Sequence, residues 1–295
     1  MNAQQQAHFQ HLYNAHLNHL TLQGKRPATI DAYARAVRRI TEYFDCPPDE
    51  LSLAQLKTYF VELIGTHSWS TVKLDRNGLQ FFYKFTLHKE WQWLDIVKPP
   101  QVKRLPDILS VAELSLVLSK TRERRYQSLF FTLYTLGLRL GEGLGLTVAD
   151  IDSAQQQVHI RDAKGGKDRL VPLPERTLQV LRRHWQQHRH PTLLFPGKGK
   201  YNNQPMYRGG VQKALKQVCA ECHIAKRISP HSLRHCYATH LLQQGLDLRS
   251  LQILLGHGSL NTTARYTRLT DAKQADTQQA INQLANTLEL EWQPQ

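Results

Sequence analysis

Four side chains towards the C-terminal end of the chain have types and spacings that suit a phosphate site. His231 and Arg234 are three residues apart, and His257 and Tyr266 follow in the same stretch. Residues three apart on a helix share a face, so His231 and Arg234 can bind one anion together. Arginine offers a planar fork of donors for phosphate oxygens, and histidine can move a proton near neutral pH. A tyrosine hydroxyl becomes a nucleophile where cations or a base stabilise its phenolate, so the set favours covalent phosphoryl transfer.

Each of these residues also has a structural interpretation, and for a single residue that interpretation is the commoner one. His231 could cap a helix, Arg234 could be a solvated charge, and Tyr266 could be a core aromatic. The combination favours the chemical interpretation, because several unrelated structural roles would have to coincide in one stretch.

Hydrophobic periodicity predicts the helix that holds the first pair. Leu233, Tyr237 and Leu241 mark one face of a helix that begins near Pro230 and ends at Gly245.

The other two side chains fall in the segments that follow. The range 246–255 predicts a second helix, and Gly256 and Gly258 place His257 in the turn after it. Tyr266 then lies on a short helix or turn that starts near residue 259 or 261.

The whole stretch resembles a known signature. The pattern His-x-Leu-Arg-His-x-x-Ala-Thr-His-Leu-Leu, then Leu-Leu-Gly-His, then Thr-Thr-x-x-Tyr-Thr is similar to the C-terminal part of tyrosine recombinases, the phage integrase family. The resemblance implies that His231 and Arg234 contact the scissile DNA phosphate, that His257 is the second histidine, and that Tyr266 attacks the DNA. It also requires a further arginine and a lysine upstream.

The upstream arginine motif is present. The run Gly-Leu-Arg-Leu-Gly-Glu at 137–142 follows a predicted helix and looks like the family's first arginine motif, with Gly141 where many members carry Ser. The resemblance implies that Arg139 binds the phosphate. Glu142 would either orient Arg139 or cap the next helix.

A predicted hairpin supplies the lysine. Strands at 157–160 and 169–173 flank a tight Lys-Gly-Gly-Lys-Asp turn, which lacks the spacing of a phosphate-binding P-loop. The resemblance implies that Lys164 protonates the departing 5′ oxygen. Lys167 competes for that role, and we assign it to the DNA backbone.

Charge and composition favour a polyanionic partner. The 295 residues carry a formal net charge of +14. Residues 1–100 hold 11 Lys and Arg against 9 Asp and Glu, and the remaining residues hold 27 against 15. The excess therefore lies with the candidate site, and binding to DNA is expected to weaken steeply with salt. No run is apolar enough to span a bilayer and the first residues are polar, so we expect a cytoplasmic protein with no membrane association.

The four cysteines do not indicate a cofactor. Cys219 and Cys222 precede His223 with the spacing of a haem attachment site, but no export signal is visible and the segment is typical of a packed helix. A zinc site would need a second ligand pair. With Cys46 and Cys236, these residues are expected to be reduced thiols, and no metal or cofactor is predicted.

The N-terminal part predicts a small helical bundle. Helices are indicated at 4–22, after Pro27, after the capping box of Ser52 and Gln55, and at about 70–87. The polar face of the first helix is expected to expose four histidines: His8, His11, His16 and His19. By resemblance, residues 1–96 form the SAM-like core-binding domain that clamps DNA opposite the catalytic domain.

The proline-containing range 97–106 predicts an extended linker, and 107–295 would form the catalytic domain. Within it, Ser110 and Glu113 predict a capping box, and 175–188 and 211–224 predict helices. A terminal helix at 271–290 would dock on its own domain or, as the resemblance implies, on a neighbouring protomer.

Basic side chains outside the site are expected to contact the DNA backbone or to be ordinary surface charge. They are Lys25, Arg26, Lys73, Arg76, Lys84, Lys103, Arg104, Lys167, Arg169, Lys198, Lys200 and Arg208.

Together these features predict a mainly α protein with a small antiparallel β-sheet, built from a four-helix core-binding domain and a tyrosine-recombinase catalytic domain. The resemblance implies a site-specific DNA recombinase, Xer-like or transposon-linked, that works through a 3′-phosphotyrosyl intermediate without metal. It would act on double-stranded recombination sites as a homotetramer. Two alternatives remain open at this point: a type IB topoisomerase-like enzyme and a catalytically silent DNA-binding protein.

Overall fold

A computed structural model describes residues 1–91, 106–163, 167–257, 259–264 and 266 of the chain. Its backbone divides into two compact units, Met1–Val102 and Lys103–Gln295. The linker prediction, apart from Pro106, and the tail prediction at 271–290 lie outside the described residues. Among the described helices, none combines the length and apolar character needed to cross a membrane.

The first unit is the predicted four-helix bundle. Its helices are α1 (Ala3–Leu22), α2 (Pro27–Phe44), α3 (Leu53–Thr66) and α4 (Trp69–Phe85). Ser52 and Gln55 form the predicted capping box at the start of α3. Apolar residues of α2, α3 and α4 build the core, and their burial stabilises the bundle by about 25 cal/mol per Å² of apolar surface.

A histidine and a carboxylate are buried in this bundle. The prediction that His16 is solvated was wrong, because its ring is fully buried between Phe81 and Phe82 of α4, at centroid distances of 5.6 and 5.3 Å. That burial lowers the pKa of His16 to about 4. Asp75 is also buried, and it accepts hydrogen bonds from Arg39 Nη1 at 2.6 Å and from Tyr59 Oη at 2.7 Å.

The second unit combines helices with a small sheet. Its elements are α5 (Val111–Lys120), α6 (Arg124–Thr135), α7 (Leu140–Leu144), β1 (Ile151–Asp152), β2 (Gln157–Ala163), β3 (Lys167–Pro172), α8 (Glu175–His188), α9 (Arg208–Glu221), α10 (Pro230–Gln243), α11 (Leu248–Leu255) and α12 (Leu260–Ala264). The strands are antiparallel in the order β1-β2-β3. The predicted hairpin is confirmed, as is the helix over 175–188, whereas α9 begins three residues before the predicted start.

Helix α10 runs through the centre of this unit and is buried on nearly all sides. Ten of its 14 residues are buried. Leu233 and Cys236 belong to the same apolar core as Leu129, Phe130 and Leu133 of α6. A helix in such surroundings can carry polar side chains only where partners satisfy them, so each polar residue of α10 needs an explanation.

Candidate active site

One carboxylate, that of Glu142, lies at the centre of the site. Its Oε2 accepts from the backbone N–H of Arg139 at 2.9 Å, and its Oε1 accepts from Arg139 Nη1 at 2.6 Å. Glu142 therefore both caps α7 and holds Arg139, so the two roles left open by the sequence coexist.

Two further arginines reach the same carboxylate from distant parts of the chain. Arg169 of β3 donates to Oε1 at 3.1 Å and to Oε2 at 2.8 Å, and Arg234 Nη1 of α10 lies 3.7 Å from Oε2. Burial alone would raise the pKa of Glu142, but hydrogen bonds and charge from Arg169, together with the bonds from Arg139, lower it to about 2. Glu142 is therefore ionised at neutral pH.

Arg234 is fully buried and bridges the ends of two helices. Its Nη1 donates to the carbonyl of Gly137 at 2.7 Å, after α6, and its Nη2 donates to the carbonyl of Leu255, at the end of α11. Helix C-terminal carbonyls attract cations. Gly137 has φ of +60°, and a Cβ there would lie 2.5 Å from Tyr237 Cδ1, so only glycine brings this carbonyl to Arg234.

The local charge is unbalanced. Among the described residues, three guanidinium groups share this one carboxylate, which is an excess of two positive charges. Burial and the charges of Arg139 and Arg169 lower the pKa of Arg234 to about 9 despite Glu142. Its Nε has no hydrogen-bond partner among the described residues. Arg139 keeps 25% of its side chain exposed, so an anion can approach from that side.

Arg169 lies inside this cluster, although the sequence assigned it to the DNA backbone. Only 8% of its side chain is exposed, and its Nε donates to the Leu254 carbonyl at 3.0 Å. The signal was strand alternation: Arg169 shares a face with Val171, which is fully buried, while Leu170 between them is exposed. Its donors hold Glu142 and the end of α11, so we assign it a positioning role instead.

The tyrosine lies against a histidine outside the predicted set. Tyr266 is 1% exposed, and its Oη is hydrogen-bonded to His235 Nδ1 at 2.8 Å. The spacing of His231 and His235, one helical turn, was the available signal. The His231 ring is exposed and lies 4.5 Å from the His235 ring, measured between centroids.

His257 lies beside the tyrosine ring. The two rings are stacked with centroids 6.4 Å apart, and His257 Nδ1 is 2.8 Å from Thr263 Oγ1 of α12. Gln252 of α11 fixes the turn, because its backbone carbonyl accepts from the His257 N–H at 3.1 Å and its Nε2 donates to the His257 carbonyl at 3.0 Å.

Five of the six predicted catalytic residues thus lie in two adjoining groups. Arg139 and Arg234 surround Glu142, while His231 and Tyr266 adjoin His235, the next residue after Arg234, and His257 stacks on Tyr266. Lys164 lies outside the described residues.

The predicted DNA contacts differ in exposure. Arg26, Lys73, Lys84, Lys198, Lys200 and Arg208 are exposed, and Lys25 and Arg76 are half-buried. Arg208 Nη1 lies 3.8 Å from where a Cβ on Gly141 would stand, which places it beside α7. Lys103, Arg104 and the Lys167 side chain lie outside the described part. Within that part, no group of three His, Cys, Asp or Glu residues could hold a metal ion.

The chain is similar to known families and proteins. Residues 98–273 match the phage integrase family, and residues 12–93 match the phage integrase N-terminal SAM-like domain. A putative integrase/recombinase, y4qK of Sinorhizobium fredii, is 35% identical, over 82% of this chain and 79% of that protein. The tyrosine recombinase XerC of Halalkalibacterium halodurans is 34% identical, over 85% and 89% respectively. The XerH site-specific recombinase bound to palindromic difH substrate has a similar fold, with a TM-score of 0.65 at 23% identity over 84% of this chain and 78% of that one.

Proposed function

This chain belongs to the phage integrase family, and we propose that it is a site-specific DNA recombinase that cleaves and rejoins strands through Tyr266. The observation that carries this proposal is the buried cluster of three arginines on one carboxylate, adjoining a tyrosine that is hydrogen-bonded to a histidine. The relatives are recombinases and integrases, which does not favour the topoisomerase alternative.

We assign phosphate binding to Arg139 and Arg234. During substitution at a phosphodiester, negative charge develops on the non-bridging oxygens, and preorganised donors stabilise it. The excess positive charge around Glu142 supplies that stabilisation, and the open side of Arg139 admits the phosphate. His231, exposed one helical turn before His235, and His257, beside the tyrosine ring, are assigned to the same phosphate.

The reaction conserves the energy of the phosphodiester bond. Tyr266 Oη attacks phosphorus, the bond to the 5′ oxygen breaks, and a 3′-phosphotyrosyl link forms. We assign protonation of the departing 5′ oxygen to Lys164. A 5′ hydroxyl of a partner strand then attacks the link and releases Tyr266, so no nucleotide hydrolysis is required.

The buried state of Tyr266 sets a condition on this reaction. A phosphodiester cannot reach a hydroxyl in a side chain that is 1% exposed. Arg234, which we assign to phosphate binding, is equally buried, so cleavage requires the site around the phenol and this guanidinium to open when DNA binds.

Partners and organisation follow from the same proposal. Strand exchange between two double-stranded sites requires four active tyrosines, so we propose a homotetramer on DNA, working in the cytoplasm where the DNA is. Residues 1–96 would clamp the DNA and 107–295 would carry the chemistry, joined by the linker at 97–106. The tail helix at 271–290 would pack on a neighbouring protomer.

A nicked suicide substrate tests the assignment of the nucleophile. Loss of the short fragment traps the covalent link, so the wild type is expected to give a protein–DNA adduct that survives denaturation. Tyr266→Phe is expected to bind DNA normally and to give no adduct. Tyr201→Phe, a change at an exposed tyrosine, serves as the control and is expected to react normally. An adduct from Tyr266→Phe would show that another residue is the nucleophile.

A further inference from the structure

We propose that His235 is a further catalytic residue, the base that accepts the phenolic proton when Tyr266 attacks DNA. This inference rests on the proposed function and deepens it. Its starting observation is the hydrogen bond of 2.8 Å between Tyr266 Oη and His235 Nδ1, two buried atoms in direct reach of each other. That distance is within the range over which a side chain can take a proton directly.

A base is needed because the phenol is weakly acidic. With a reference pKa of about 10, only about one phenol in a thousand is ionised at pH 7. The positive charge of Arg234 favours the phenolate of Tyr266. The same interaction works in reverse, because the phenolate favours the charged guanidinium and raises its pKa. Charge stabilisation does not by itself remove the proton, so an acceptor is still required.

The surroundings of His235 also favour release of the proton after it has been accepted. On α10, the exposed His231 ring lies 4.5 Å away, on the side of bulk water. His257, in the turn after α11, stacks on the ring of Tyr266, the other member of the hydrogen-bonded pair. The proton can therefore pass to water beside the exposed His231 ring.

The step balances as follows. The phenolic O–H bond breaks, its proton binds to His235 Nδ1, and Oη forms the bond to phosphorus while the bond to the 5′ oxygen breaks. The imidazolium gives its proton to water, and the 5′ oxygen takes one from its own acid. In the reverse step, His235 returns a proton to the departing phenolate.

A second His–Tyr pair, between His240 of α10 and the half-buried Tyr134 of α6, serves as an internal control. Tyr134 Oη lies 2.9 Å from His240 Nδ1, and His240 Nε2 lies 3.0 Å from the Leu109 carbonyl. A carbonyl only accepts, so Nε2 carries the proton and Nδ1 accepts from Tyr134. Tyr134→Phe removes one His–Tyr hydrogen bond from α10 without touching Tyr266.

The experiment measures single-turnover adduct formation on the nicked substrate from pH 6 to pH 10. His235→Gln keeps a polar side chain of similar size that cannot take a proton. Its rate is expected to fall by about 10²–10⁴ at pH 7 and then to rise about tenfold per pH unit, as the phenol ionises unaided. Wild type and Tyr134→Phe are expected to share one flatter profile, and DNA affinity is expected to be the same in all three.

A substrate with sulfur in place of the departing 5′ oxygen distinguishes a role of His235 as the base from a role as the acid. A thiol has a reference pKa of about 8.5 and leaves without a proton, so a lost acid is compensated and a lost base is not. The defect of His235→Gln is expected to persist on this substrate. Recovery of the wild-type rate would make His235 the acid and overturn the proposal.

Other results of the same experiments would also decide whether His235 is the base. A wild-type rate and profile in His235→Gln would overturn the proposal, and a faster rate would identify the pair as a latch on the tyrosine. Should His235→Gln not fold, the wild-type profile on the sulfur substrate decides: a tenfold rise per pH unit through pH 9 would exclude any base with the pKa of histidine. Failure of the proposed function looks different, because then the wild type itself gives no Tyr266 adduct.

Discussion

Asp75 in the first unit and Glu142 in the second are both buried carboxylates held by arginine, and their two clusters differ in the ratio of charges. In the first unit, Asp75 accepts from one arginine, Arg39, and from the neutral hydroxyl of Tyr59. In the second, Glu142 lies within 4 Å of three guanidinium groups. The first cluster is electrically balanced, whereas the second retains two positive charges.

The difference teaches how to distinguish a structural ion pair from a binding site. A buried ion pair needs only enough opposite charge to offset desolvation. Positive charge beyond that is costly in the free protein, and an incoming anion removes the cost. The unbalanced cluster is therefore the one expected to bind phosphate, and the balanced one is expected to hold α2, α3 and α4 together.

Neutralising the two carboxylates should give the largest contrast. Glu142→Gln leaves three arginines without their shared counter-charge, and we expect it to destabilise the second unit by about 3–5 kcal/mol. Asp75→Asn should cost less, because 28% of Arg39 is exposed and water can solvate it. Urea unfolding of both variants, followed separately for the two units, measures this. Equal losses would mean that the charge excess at Glu142 is already offset by groups outside the described residues.

Acid should extend the comparison, because each unit buries a histidine whose pKa is lowered to about 4. The pKa of His16 is lowered to about 4 by burial, and that of His184 to about 4 by burial and by the charge of His188. A histidine with a lowered folded-state pKa favours the folded state above its unfolded value of about 6.5, so stability falls as pH drops from 6.5 towards 4. Each contributes up to about 3 kcal/mol.

Below pH 4.5 the two units should diverge. The lowered pKa of Glu142, about 2, means that its stabilisation is present above the unfolded value of about 4.5 and is lost as pH falls towards 2. Thermal unfolding between pH 7 and pH 2 measures this. His16→Leu and His184→Leu are each expected to reduce the loss of stability between pH 6.5 and pH 4, one in each unit. If the stability of the second unit did not fall between pH 4.5 and pH 2, the role given to Glu142 would be contradicted.

Two glycines should give the smallest effects and again separate the units. A Cβ on Gly78 would lie 2.9 Å from Ala36 Cβ and 3.0 Å from Tyr33 Cα, so α2 and α4 would have to move apart. Gly78→Ala is expected to cost about 1–3 kcal/mol. The nearest atom to a Cβ on Gly141 is Arg208 Nη1, at 3.8 Å. Gly141→Ser is expected to change stability by less than about 0.5 kcal/mol, and calorimetry of both variants would measure it.

Local pattern predicted most of the fold and part of the site. Apolar periodicity, capping residues and the hairpin turn specified the helices and strands, because these signals lie within a few residues of one another. The neighbouring positions of His231 and His235 follow from their spacing of one helical turn, whereas the pairing of His231 with Arg234 on one phosphate stays a prediction. The part played by Arg169 did not follow, because charge suggested the surface while strand alternation pointed inward, and only the packed position of α11 decides between them.

The burial of His16 shows the same limit. Three other histidines on α1 suggested a solvated face, and what buries His16 is a pair of aromatic rings from α4, more than 60 residues away. The bond between His235 and Tyr266 likewise joins residues 31 apart. Contacts of this kind depend on the assembled fold, and no spacing rule within one helix specifies them.

The two carbonyls held by Arg234 have a practical consequence for anyone wishing to trap the protein on DNA. An inert variant is commonly made by truncating an active-site arginine, but here that would release the ends of α6 and α11 and leave a vacancy in the interior. Such a sample would report damage to the scaffold as much as loss of chemistry. Tyr266→Phe removes only the hydroxyl oxygen and leaves both hydrogen bonds of Arg234 to these helix ends in place. It is therefore the better starting point for a stalled complex.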